Sequence, residues 1–83
     1  MKITLKLYAS LKQYLPAGTA RNETEIEISE DASVQSVLDS LGMPEGVYKL
    51  VLLNGVFVVP EERQSKRFVE GDAFAIWPPV AGG

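Results

Sequence analysis

The sequence predicts a small α+β domain, a sheet of four or five strands with one main helix on one face. Three observations carry this. Residues 2–8 and 23–29 alternate apolar and polar side chains with a period of two, as strands with one buried face do. Val34, Val37, Leu38 and Leu41 instead recur at helical spacing, the stripe of an amphipathic helix. Asn54-Gly55 then separates two apolar runs and signals a type I′ hairpin. The 83 residues leave room for a single core, burying about 60% of the surface of the unfolded chain.

In the first strand Ile3, Leu5 and Leu7 point to one face, and Lys2, Thr4, Lys6 and Tyr8 to the other. Residues 9–15 suit a short helix, with Ser10 as its cap and Leu11, Tyr14 and Leu15 on one side. Pro16 and Gly18 end it, and a polar loop follows to Asn22. The second strand turns Ile26 and Ile28 inward and Glu25 and Glu27 outward, a charged pattern that suits a sheet edge.

The main helix starts after a Ser33 or Asp31 cap, with Glu30 and Asp31 complementing its dipole. Gly42 at C′ and Pro44 stop it. Residues 50–53 (Leu-Val-Leu-Leu) are apolar on both faces, which predicts a central or heavily covered strand. Residues 56–59 return as its hairpin partner until Pro60. A charged connection follows to Phe68, and Glu70-Gly71-Asp72 turns the chain into a last strand over residues 73–77.

One helix can cover one face of such a sheet. The covered face takes Ile3, Leu5, Leu7, Ile26, Ile28, Phe74 and Ile76. The open face carries Tyr8 and Trp77, with Phe57 beside them. Three aromatics there are much apolar area to leave in water, and aromatics dominate interface hot spots. They are the candidate partner-binding residues. A satellite core under the first short helix is the alternative for Tyr8 and Trp77.

The chain has no cysteine and no histidine. That removes disulfides, thiolate metal sites, nucleophilic cysteine and the usual neutral-pH general base. No spaced acidic loop of the calcium-binding kind is present, so no metal site is expected. A net charge of −3 argues against non-specific nucleic-acid binding. No apolar run approaches a membrane span, and no signal peptide is evident, which leaves a cytoplasmic protein as the expectation. Arg63, Lys66 and Arg67 form the one loose basic cluster, open to reading as an anion or partner site or as a solvated loop.

After Trp77 the chain reads Pro78-Pro79-Val80-Ala81-Gly82-Gly83. Proline cannot continue a ladder, so this segment is expected to project as an extended, flexible tail. Glycines lack a Cβ and can thread a narrow channel to present a terminal carboxylate for activation. As given, the chain already ends at Gly83, and no maturation step is expected.

These residues match a family. Lys6-Leu7-Tyr8-Ala9-Ser10-Leu11, the helix end from Leu38 to Gly42, Asn54-Gly55, Glu70-Gly71-Asp72 and the Pro-Pro-Val-Ala-Gly-Gly end together resemble the small sulfur carriers of the MoaD/ThiS group. The resemblance spans essentially the whole chain. Within that group, Ile76 through Val80 is similar to the ending of the small subunit of molybdopterin synthase. The loop 16–22 and residues 46–49 follow no family pattern.

The resemblance implies a ubiquitin-like β-grasp domain with a mixed sheet over residues 1–77 and a tail over 78–83. It implies that Gly83 is adenylated by a partner enzyme of the ubiquitin-activating type using ATP. A sulfur-donor protein then converts it to a thiocarboxylate. A larger synthase subunit would receive that sulfur for molybdopterin. The chain itself would be a non-catalytic carrier, with no bound cofactor. A thiamine-pathway carrier, and a protein modifier joined to lysines through Gly83, are the alternatives.

Overall fold

The computed structural model describes residues 1–79. Five strands form one mixed sheet: β1 (Lys2–Leu7), β2 (Glu23–Glu27), β3 (Leu50–Leu53), β4 (Val56–Phe57) and β5 (Ala73–Trp77). Their order is β2-β1-β5-β3-β4, with β1 and β5 parallel and the other neighbours antiparallel. One α-helix, α1 (Val34–Ser40), and two 3-10 helices, Ala9–Tyr14 and Pro60–Glu62, complete the described elements.

The core follows from the alternation. Ile3, Leu5 and Leu7 of β1 and Phe74 and Ile76 of β5 are buried against Val34, Val37 and Leu38 of α1. Leu5, Phe74 and Ile76 have no exposed surface, and burial of each such side chain contributes about 1.5–3 kcal/mol. Phe68 closes the core edge-on against Phe74, ring centroids 5.1 Å apart.

Several local expectations hold. Ser33 caps α1: its hydroxyl accepts from the Ser36 amide at 3.1 Å, while the Ser36 hydroxyl accepts from the Ser33 amide at 2.9 Å. This reciprocal box satisfies two donors that would otherwise be orphaned. Asn54 and Gly55 both have positive φ, 52° and 83°, as a type I′ turn requires.

Other expectations need correcting. The first short helix is a 3-10 turn entered through Ala9 at φ 52°, and no side chain caps it, Ser10 included. Strand β2 ends at Glu27 rather than Ser29; Ile28 still packs inward with Ile26 against the core, its carbonyl accepting from the Met1 ammonium and its amide donating to the Met1 carbonyl. β4 has two residues rather than four; Val58 turns into the core and the second 3-10 helix begins at Pro60. The run 50–53 is an interior strand, as one of its two expected readings had it, but it is not covered on both sides. Leu50 is 41% exposed and Leu52 half-buried, since no described element packs over them.

Candidate functional site

The open face is built row by row from the register. Tyr8 continues the alternation of β1 in extended conformation, and its amide donates to the Ile76 carbonyl at 3.2 Å. That bond sets the phenol beside Trp77. The two rings stack with centroids 4.1 Å apart and planes 4° from parallel. Across β5, Trp77 pairs with Leu50, and the Lys49 amide donates to the Trp77 carbonyl at 2.8 Å. The next row runs Lys6, Ala75, Leu52 and Phe57 through three consecutive ladders.

Tyr8 and Trp77 are therefore brought into contact, while Phe57 shares their face across β3 and reaches them through Leu52 and Leu50. Phe57 is 44% exposed; Tyr8 and Trp77 are half-buried, each shielding the other. Ala73 and Ala75 keep the middle of this surface shallow between larger neighbours. Leu50 and Leu52 belong to the apolar face, and sequence reasoning missed them. Their signal was present: a doubly apolar strand in a sheet with one helix must leave one of its faces uncovered.

The other half of the same face is charged. Lys2, Thr4 and Lys6 on β1 lie opposite Glu27, Glu25 and Glu23 on the edge strand β2. The face thus divides lengthwise into an apolar part over β5, β3 and β4 and a charged part over β1 and β2. β5 ends at Trp77, and Pro78 is half-buried and Pro79 exposed at the apolar side. The calls on Val80, Ala81, Gly82 and Gly83 lie outside the described residues.

The basic cluster does not form. Arg63 is buried, its Nε–H donating to the Val58 carbonyl at 3.4 Å and its guanidinium carbon 5.6 Å from the Tyr48 ring centroid. It lines a cleft of about 400 Å³ with α1 side chains. Lys66 and Arg67 are exposed and line a different cleft, of about 470 Å³, beside Val56 and Phe57. Arg67 Nη1 donates to the Gln64 carbonyl at 2.8 Å. One titrating group is displaced from its ordinary behaviour. A hydrogen bond from the Ser29 hydroxyl, then its own backbone amide, hold the Asp31 carboxyl below the usual range, with a smaller contribution from Arg67.

Among the described residues no group of three or more Asp, Glu, His or Cys side chains is placed to hold a metal. No described helix is long and apolar enough to cross a membrane.

A family model described as Mut7-C ubiquitin matches residues 1–82. No curated protein sequence matches the chain. Among solved structures, the HVO 2177 protein of Haloferax volcanii is similar at 27% identity with a TM-score of 0.77, covering 100% of this chain and 87% of that one. SAMP1 of Haloferax volcanii is similar at 26% identity and a TM-score of 0.70, covering 100% of both chains. A chain in the complex of subunits 1 and 2 of the molybdopterin-converting factor of Helicobacter pylori shares the fold, at 18% identity and a TM-score of 0.62, with 100% of both chains covered.

Proposed function

Since the chain belongs to the Mut7-C ubiquitin family, we propose that it is a sulfur carrier whose Gly83 carboxylate is the reacting group. The observation that carries this reading is the stacked Tyr8–Trp77 pair, set in an apolar face at the point where β5 gives way to Pro78. An activating enzyme that holds this face receives the residues after Trp77 in a fixed direction. The six residues from Pro78 to Gly83 reach at most about 20 Å when extended.

A carboxylate is a poor electrophile. The Gly83 oxygen attacks the α-phosphorus of ATP in the partner's site, pyrophosphate leaves, and an acyl-adenylate results. A sulfide-level nucleophile from a donor protein then attacks the carbonyl carbon, AMP leaves, and the thiocarboxylate remains. The carrier contributes the acyl group and the docking face; acid, base and metal chemistry belong to its partners. We assign the receiving protein to the class of the larger molybdopterin-converting subunit, by analogy with the two-subunit complex whose chain shares this fold. That analogy favours molybdenum- or tungsten-pterin synthesis over the thiamine pathway.

A second reading is favoured by the likeness to SAMP1, described as a small archaeal modifier protein. The same activated Gly83 would then be attacked by a lysine amine to give an isopeptide bond. Intact-mass measurement of the cellular protein separates the two. An oxygen-to-sulfur exchange at the end of the chain supports the carrier, and branched peptides at lysines support the modifier. An unchanged mass in cells actively making the cofactor overturns both.

A further inference from the structure

On the helix side of the sheet, opposite the aromatic face, Arg63 lines a cleft with no close ionic partner among the described residues. It keeps 9% of its surface exposed, yet among the described residues no carboxylate oxygen lies within 4.0 Å of it. Its Nε–H makes one long bond, 3.4 Å to the Val58 carbonyl, and the Tyr48 ring stands 5.6 Å from the guanidinium carbon. The ring attracts the cation but takes none of its in-plane donors. The Nη groups have no described hydrogen-bond partner, and Arg63 lines a cleft of about 400 Å³. No buried side-chain nitrogen among the described residues is left without a partner, so the Nη groups open onto the cleft, where an anion can replace the water that solvates them.

The rest of the lining selects the anion. Asp39 and Glu45, both exposed, share the cleft with Arg63, and Gln35 and Gln64 add neutral polar groups. One Asp39 oxygen already accepts from Gln35 Nε2 at 3.0 Å; Glu45 has no described partner. Two carboxylates near one arginine disfavour a dianion such as phosphate. They favour a ligand that also carries an ammonium. A planar fork of N–H donors matches a carboxylate, and the volume sits at the low end of the roughly 300–1,000 Å³ of small-molecule sites. We infer that this cleft binds a small zwitterion of the amino-acid class, its carboxylate on Arg63 and its ammonium toward Asp39 and Glu45. The inference does not depend on the carrier reading, because neither the open face nor Gly83 takes part.

The test is a titration of the full chain by NMR, following the Arg63 Nε–Hε resonance and the Tyr48 ring protons. Glycine, acetate, ethylamine and inorganic phosphate are each added up to about 50 mM, a range that reports millimolar affinities. Glycine is expected to produce saturable shifts, with acetate and ethylamine each at least about fivefold weaker and phosphate not saturating. Arg63→Lys keeps the charge but loses the fork, and it should abolish the glycine shifts. If that variant does not fold, Asp39→Asn with Glu45→Gln decides: both sites are exposed, and the pair should weaken glycine severalfold while leaving acetate as tight or tighter. No saturable glycine shift overturns the site. Equal affinity for glycine and acetate, or tighter binding of phosphate, overturns the zwitterion assignment.

Discussion

Trp77 has a neighbour of a different kind on each side, the Tyr8 ring stacked at 4.1 Å and Leu50 across the ladder. Stacking of this sort adds about 0.5–1.5 kcal/mol beyond the area it buries, so the pair is rigid before any partner arrives. A preordered indole loses little freedom on binding, which suits an anchor. Trp77→Ala is expected to weaken the complex with an activating enzyme by about 2 kcal/mol, read by calorimetric titration. Being the chain's one tryptophan, it should also shift its fluorescence to the blue as water leaves the face. An emission spectrum unchanged by a bound partner would return Trp77 to a structural role. At Asp31 the sign of the pH dependence follows from its depressed pKa. The Ser29 bond stabilises the ionised form, so its contribution is complete above the ordinary aspartate value of 3.8 and is lost as pH falls through the lower folded value. Ser29→Ala should raise the Asp31 midpoint in a carboxyl-carbon NMR titration; an unmoved midpoint would rule out the hydroxyl as the main cause.

At the scale of elements, the covered and open faces should respond differently to truncation. Leu38→Ala in α1 and Ile76→Ala in β5 remove side chains that are 1% and 0% exposed. Each should cost about 2–5 kcal/mol of stability in chemical denaturation. Leu50→Ser and Phe57→Ala remove surface that is already 41% and 44% exposed. They should cost far less stability while weakening partner binding. Equal losses on the two faces would mean that a further element covers β3. The same elements show where sequence patterns suffice. The period-two runs and the α1 stripe were legible because each side chain's environment is set by its own strand or helix. The fate of residues 50–53 was not, because burial of the second face depends on whether a distant element crosses it. Arg63 was misread for a related reason. Its closeness in sequence to Lys66 and Arg67 says nothing about Tyr48, which comes from the other side of β3 in the chain and covers it.

For the molecule as a whole, the reacting end and the folded body should be separable. Deleting Gly83 is expected to abolish sulfur transfer and leave the melting temperature unchanged, because the core is complete within the described residues. Sulfur transfer from a chain lacking Gly83 would end the carrier reading. The fold was readable from periodicity, turn residues and the main-helix cap. The aromatic half of the candidate site was readable from alternation alone, since Tyr8 and Trp77 needed only their parity on β1 and β5. Their stacking was not, because contact between them requires the parallel pairing of the first and last strands, which no local pattern encodes.

That pairing also decides how the domain bears load. β5 lies between β1 and β3, hydrogen-bonded along both edges. A partner that grips the chain beyond Trp77 and pulls does so along the length of β5. Tension in that direction does not peel bonds one at a time, as it would from an edge strand such as β4. It shears two ladders together, in the middle of the sheet and over the fully buried Phe74 and Ile76. The last strand is thus the one in this sheet best placed to resist a pull along its own axis.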